Sequence, residues 1–153
     1  MKISKITVKT KSKSYPIYLG NGIVNATGKL IQKNLPNVKK LFIICDRNIP
    51  SNLVRKLKKS LKKYKLQICK LPAKEKTKNF KIAYKLIESL LRSNFSRSDC
   101  IIAFGGGVLG DLSAFVSSLT KRGLKFINIP TTLLAQVDAS VGGKTAINSS
   151  QGK

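Results

Sequence analysis

Apolar residues in this chain fall in short blocks, and the spacing inside the blocks switches between the period of a strand and that of a helix. ITVKT and YPIYLG, near the amino end, read as two short strands bounded by the polar KSKS segment. From Asn21 to Leu35 the spacing predicts one helix, with Ile23, Val24, Leu30, Ile31 and Leu35 on one face and Pro36 after its end. KKLFIICD, Lys39 to Asp46, is a continuous apolar run of the kind buried on both faces of a parallel sheet. SNLVRKLKKSLKKY returns to helical spacing, with Leu53, Leu57 and Leu61 on one side and lysines opposite. Such a basic amphipathic helix can seek a membrane, but its charged face is more often simply solvated. LQICKLP is the next strand, and Asn79 to Leu91 is a helix with Phe80, Ala83, Ile87, Leu90 and Leu91 in register. DCIIAFGGG is a further buried strand, Val108 to Leu119 a helix, and LKFINIP the last strand.

This alternation predicts an α/β fold, a Rossmann-like, largely parallel sheet flanked by helices. No repeat or low-complexity linker interrupts it, so residues 1–153 are expected to form one domain. Ligands of such sheets bind beyond the carboxyl ends of the strands. That directs attention to Asp46, PAKEKTK, GGGVLGD and PTTLL.

Composition narrows the possibilities. No apolar run is long enough to span a bilayer, and MKISKITVKT lacks a signal-peptide core, so a cytoplasmic protein without a membrane partner is expected. Cys45, Cys69 and Cys100 sit in strand-like contexts without metal-type spacing and read as buried thiols. There is no histidine, which removes histidine catalysis and the commonest zinc ligand from this chain. The net charge of +24 raises the question of a nucleic-acid partner. The excess is mostly scattered lysine, however, with little arginine and no aromatic-interleaved basic motif, so specific nucleic-acid binding is not expected.

The candidate chemistry is concentrated late in the chain. In FGGGVLGDLSAF, Gly105, Gly107 and Gly110 satisfy G-x-G-x-x-G after a strand and at the start of a helix. Glycines there let a pyrophosphate approach the backbone, and the helix amino end offers free N–H donors. The rival reading is a tight strand-to-helix turn. The usual follow-up, an acid ending the next strand, is missing because that strand ends in Pro130. Asp46, which ends an earlier strand, could hold the ribose in a different strand order. Asp111 falls in the first helical turn, as a favourable charge there or as a partner for hydroxyls or water. In PTTLLAQVDASVGGKTAIN, the Thr131 and Thr132 hydroxyls could bond a cofactor. Ser140, Gly142 and Gly143 lead to Lys144 after Asp138, a pattern suited to an anion. Arg122 and Lys153 are further cations, although each basic residue taken alone is better explained by solvent exposure.

GGGVLGDLSAF, KRG and IPTTLLAQVDASVGGKTAIN, in that order, resemble the N-terminal domain of 3-dehydroquinate synthase. PAKEKTK resembles that family's Gly-Glu-x-x-Lys segment, with Glu75 and Lys78 in register and Lys74 where glycine is usual. The related metal-dependent glycerol and alcohol dehydrogenases also carry GGG and Thr-Thr, but LLAQVDASVGGKT favours the synthase. The resemblance implies a lyase of the shikimate pathway that converts 3-deoxy-D-arabino-heptulosonate 7-phosphate, a sugar phosphate, to 3-dehydroquinate and phosphate with NAD. It implies that Asp46, Glu75, Lys78, Gly106, Gly107, Val108, Gly110, Asp111, Thr131, Thr132, Lys144 and Lys153 contact NAD. Asp138 and Lys144 would contact substrate, and Arg122 would reach the substrate phosphate of the neighbouring subunit in a homodimer. The family's zinc or cobalt is held by one Glu and two His of a C-terminal helical domain. None of these metal ligands lies in this chain, which is therefore expected to be truncated and inactive alone. The alternatives are a non-catalytic nucleotide-binding module and a polyol dehydrogenase.

Overall fold

The computed structural model of the chain describes residues 2–11, 14–143, 145–149 and 151–152. It divides into two compact units, Met1–Pro36 with Ser51–Lys63, and Asn37–Pro50 with Tyr64–Lys153.

In the first unit, β1 (Ser4–Lys9) pairs antiparallel with β2 (Ser14–Leu19) in a register that sets Ser4 opposite Leu19. The helix expected from Asn21 instead begins as a 3-10 turn over Ile23–Ala26, and α1 covers Thr27–Asn34. The reason is local. Gly22 takes a left-handed φ of 68°, and successive tight turns bond Ile23 N–H to the Gly20 carbonyl and Asn25 N–H to that of Gly22. Helix α2 (Ser51–Ser60) carries Leu57 inward, and Leu61 just beyond its end is fully buried, as the leucine spacing predicts. Gly28 of α1 lies against α2 so tightly that a Cβ on it would stand 1.9 Å from the Ser60 carbonyl oxygen.

The second unit holds a four-stranded parallel sheet in the order β4-β3-β5-β6, formed by β3 (Lys40–Asp46), β4 (Lys65–Leu71), β5 (Cys100–Gly105) and β6 (Lys125–Pro130). Every residue of β5 is buried, which explains why its sequence shows no alternation. Helices α3 (Phe80–Arg92) and α4 (Gly107–Leu119) contribute Leu86, Leu90, Leu109 and Leu112 to one core with Phe42, Ile44 and Ile101 of the sheet. The expected α/β, Rossmann-like class holds. Of the expected α3 stripe, Ala83, Ile87 and Leu90 pack into or against the core, joined by Leu86, whereas Phe80 and Leu91 do not. Phe80 is 61% exposed, its ring set edge-on to Phe115 at 5.9 Å, and Leu91 is 38% exposed. Asn79 caps α3 by accepting the Ile82 N–H at 2.9 Å.

Asp99 fastens the amino end of the sheet. Its carboxylate accepts from Lys40 N–H (2.9 Å), Ser96 N–H (2.8 Å) and the Ser96 hydroxyl (2.9 Å). Burial pushes this carboxyl up, but the hydrogen bonds from Ser96, Lys40 and Lys39 outweigh burial and hold it below the ordinary carboxylate value.

The strand order fixes where a ligand fits. From β3 the chain moves outward to β4, then returns past β3 to β5 and on to β6. The connections leaving β3 and β5 therefore diverge at the carboxyl ends of these strands, beside Asp46 and Gly105, and such a switch point is where sheets of this kind form a ligand crevice.

Candidate functional site

The turn after β5 explains its glycines by space rather than by conformation. The glycines with positive φ are Gly22, Gly123, Gly142 and Gly152, and none belongs to this turn. A Cβ on Gly105 would meet Leu109 Cδ1 at 3.1 Å and the Asp46 Cβ at 3.4 Å, so Asp46 stands directly beside the turn. On Gly106 a Cβ would be 3.3 Å from Thr132 Cγ2, and on Gly107 it would be 3.2 Å from the Ala139 Cβ. Gly110 lets α4 lie against Asn128 of β6, whose Nδ2 is 3.3 Å from where a Cβ would be. Gly106, in extended conformation, is the N-cap of α4 and brings no side-chain hydrogen bond. The first backbone N–H groups of α4 thus face the crevice without a capping side chain, which is the arrangement that receives an anion.

α4 starts at Gly107, one residue before the expected Val108, and this moves Asp111 beyond the first turn, where no acid is found. The expectation that Asp111 sits in the first turn is corrected on that ground. Its role is set by a partner far away in sequence. Lys78, only 4% exposed, places Nζ 2.6 Å from Asp111 Oδ2 and 3.8 Å from Glu75 Oε1. A buried ammonium needs a counter-charge, and Asp111 supplies it. In return the carboxylate is neutralised close to the helix amino end, so it does not repel an anion bound there.

Residues 145–149 lie across this cluster. Asn148 N–H donates to the Lys78 carbonyl at 2.7 Å, and Asn148 Nδ2 donates to Glu75 Oε1 at 2.9 Å. The Thr145 hydroxyl donates to the Asp111 carbonyl at 2.6 Å. On the β6 side, Thr131 N–H bonds the Gly105 carbonyl at 3.0 Å, and Thr132 Oγ1 accepts from Ala135 N–H at 3.3 Å. Thr132 thereby starts the π-helical turn Ala135–Ala139, and its own O–H proton stays available to donate.

The structure gathers Asp46, Glu75, Lys78, Gly106, Gly107, Val108, Gly110, Asp111, Thr131 and Thr132 at the carboxyl end of the sheet. Asp138 joins them on the turn whose Ala139 abuts Gly107. Arg122 does not. It lies between α4 and β6, at the amino end of the sheet and about 20 Å away along the length of α4. There Lys121, Arg122 and Gly123 take left-handed φ values of 53°, 65° and 110° in succession. Lys144 and Lys153 lie outside the described residues. Sequence reasoning missed Thr145, Asn148 and Asn128. Only Asn128, a polar residue inside the apolar run LKFINIP, left a visible signal.

Among the described residues no three of His, Cys, Asp and Glu come together as a metal site, and the chain has no histidine. Burial raises the thiols of Cys45, Cys69 and Cys100, and the Asp46 carboxylate raises that of Cys45 further, which disfavours the reactive thiolate. No described helix is long and apolar enough to cross a membrane.

Comparison with known proteins identifies the family and the fold. The family profile described as 3-dehydroquinate synthase N-terminal matches residues 68–153. The chain is 45% identical to the 3-dehydroquinate synthase of Pelagibacter ubique (strain HTCC1062) over 153 residues, which cover 100% of this chain and 42% of that protein. Among solved structures, a 2-deoxy-scyllo-inosose synthase complexed with carbaglucose-6-phosphate, NAD+ and Co2+ superposes with a TM-score of 0.87 over 98% of this chain and 41% of its own. At 22% identity that likeness is one of fold. The 2-epi-5-epi-valiolone synthase of Streptomyces hygroscopicus subsp. jinggangensis 5008, with NAD+ and Zn2+ bound, is 28% identical with a TM-score of 0.67, over 74% of this chain and 32% of its own. The chain thus spans less than half the length of each of these relatives.

Proposed function

Because this chain belongs to the 3-dehydroquinate synthase N-terminal family, we propose that it is the NAD-binding part of a cytoplasmic 3-dehydroquinate synthase, a lyase of the shikimate pathway. Its substrate would be 3-deoxy-D-arabino-heptulosonate 7-phosphate and its products 3-dehydroquinate and phosphate. One observation carries the reading. The uncapped amino end of α4 opens into the crevice between β3 and β5, and side chains on Gly106 and Gly107 would crowd Thr132 and Ala139.

The residues fit a dinucleotide. In this reading the backbone N–H groups from Gly106 to Val108 bind the pyrophosphate, and the Asp46 carboxylate accepts from ribose hydroxyls. Thr131 and Thr132 donate hydroxyl protons to the cofactor, and Lys78 holds the Asp111 carboxylate in one orientation. NAD, when bound, supplies reversible oxidation of a substrate hydroxyl, which acidifies the neighbouring C–H and allows phosphate to leave. Asp138 and Lys144 would bind and orient the substrate. Arg122 lies at the far end of the sheet, which supports its acting on the phosphate in a second copy's site, within a homodimer.

The residues of this chain do not fit the family's zinc or cobalt, since histidine is absent and no acid cluster replaces it among the described residues. In this reading the metal is held by residues outside these 153, and the isolated chain binds NAD without turning over substrate. Calorimetric titration with NAD and a phosphate-release assay on the isolated chain test both halves. Binding without phosphate release is expected. A folded chain that ignores NAD would overturn the nucleotide assignment, and phosphate release by the chain alone would overturn the division of labour.

A further inference from the structure

Glu75, Lys78 and Asp111 form a closed circuit with Thr145 and Asn148, two residues to which the cofactor assignment gives no part. Asn148 Nδ2 reaches Glu75 Oε1 at 2.9 Å, and Glu75 Oε1 lies 3.8 Å from Lys78 Nζ. Lys78 Nζ holds Asp111 Oδ2 at 2.6 Å, and the Asp111 carbonyl receives the Thr145 hydroxyl at 2.6 Å. Backbone bonding closes the ring, with Asn148 N–H on the Lys78 carbonyl and a parallel bridge between Asn79 and Asn148. Residues 145–149 therefore grip both ends of the Glu75–Lys78–Asp111 chain.

The Asn148 amide shows what holds it. Its Oδ1 is buried with no hydrogen-bond partner among the described residues. An unpaired buried acceptor is unfavourable, so the side chain is kept in place by what its Nδ2 does, and Nδ2 bonds a carboxylate. A carboxylate accepting from Asn148 is fixed relative to the Lys78 ammonium, and Lys78 in turn fixes Asp111, one turn inside the helix that faces the crevice.

We infer that Asn148 is a positioning residue for the dinucleotide site, acting through Glu75 and Lys78 to orient Asp111, with Thr145 as the second anchor of the same strap. The inference rests on the NAD-binding reading above. It implies that strap and crevice are coupled, so that loosening the strap weakens the cofactor.

The test uses the 153-residue chain, with NAD as probe. Asn148→Asp keeps the shape but sets two carboxylates against each other, and is expected to weaken NAD binding about tenfold, the worth of one charge-assisted hydrogen bond. The same variant should speed hydrogen exchange over residues 75–79 and 145–149, a readout that needs no ligand. Adding Glu75→Gln to Asn148→Asp restores the bond with donor and acceptor exchanged, and should recover exchange protection, with affinity recovering to that of Glu75→Gln alone. Loss of affinity with recovery in the double variant supports the inference. Unchanged affinity in Asn148→Asp, or no recovery in the double variant, overturns it while the wild-type chain still binds NAD. A wild-type chain that binds no NAD but shows the coupled exchange would overturn the dinucleotide reading, and with it the positioning role. The strap would then stand as a structural latch only.

Discussion

Replacing Lys78 with methionine removes the cation from the Lys78–Asp111 pair and keeps the length of the side chain. The ammonium side chain is 6% exposed and its partner 26% exposed, with 2.6 Å between charged atoms. Breaking a fully buried pair from one side costs about 3–5 kcal/mol, whereas an exposed pair contributes about 0.2–1 kcal/mol. Asp111 is a quarter exposed, so water can partly resolvate the abandoned carboxylate, and about 2 kcal/mol is the expected loss for Lys78→Met. In a chain of this size that corresponds to a melting temperature lower by about 4–8 °C. Lys78→Met/Asp111→Asn should be more stable than Lys78→Met, because a neutral amide in the same place is cheaper to leave without its partner. Urea denaturation of the four chains at neutral pH gives the coupling energy directly. NAD titration adds a functional reading, since Lys78→Met leaves an uncompensated negative charge near the helix amino end and should weaken NAD more than the double variant does. If the two single losses sum to the double within about 0.5 kcal/mol, the pair is uncoupled and the reasoning fails.

Gly107→Val should abolish detectable NAD binding and leave the fold intact, because even its Cβ would lie 3.2 Å from the Ala139 Cβ; an unchanged dissociation constant would show that the glycine serves only the turn. Gly28→Ala, whose Cβ would lie 1.9 Å from the Ser60 carbonyl oxygen, should destabilise the first unit by about 3 kcal/mol in urea titration, and a loss below about 0.5 kcal/mol would contradict the close helix approach. Asp99 has a folded pKa below its unfolded value of about 3.9, so its contribution is fully present above about pH 4 and is lost as pH falls through the depressed value. Asp99→Asn should therefore lower stability at pH 7 and flatten the acid limb of the stability curve, and an acid limb identical to wild type would refute the role assigned to Asp99.

The strands were readable because they are buried throughout. β3 and β5 carry no polar residue between Lys40 and Asp46 or between Cys100 and Gly105, and such runs have few other uses. The segments just after them were readable as a site because a parallel sheet directs its ligands there. What stayed hidden depends on residues distant in sequence. Nothing in PAKEKTK says that Lys78 is buried or that its counter-charge lies at position 111. Nothing near Asn148 says that it touches Glu75. Phe80 fits a helical apolar stripe as well as Leu86 does, and only the packing of α3 on the sheet separates the exposed one from the buried one. The one-residue shift at the start of α4 arises from Gly106 serving as an uncapped N-cap, which no side-chain pattern records.

The net charge of +24 invites the idea that lysines make the anion site, and the geometry argues otherwise. Lys78, the buried lysine at the carboxyl end of the sheet, is committed to Asp111 at 2.6 Å. A pyrophosphate in the crevice would therefore meet backbone N–H groups and a helix dipole rather than the Lys78 ammonium. Such donors are fixed in direction, so they hold a pyrophosphate in one orientation without a full counter-charge. In the proposed reading the Arg122 guanidinium belongs to the other task, binding a substrate phosphate, and it lies apart from the glycine turn in sequence. Arg122 sits on a left-handed stretch at the opposite end of the sheet, out of reach of the crevice in its own chain. On this reasoning the cofactor half of the site is built within one chain from backbone. If the substrate half is completed by Arg122 of a second copy, Arg122→Ala should leave the NAD affinity of the chain nearly unchanged.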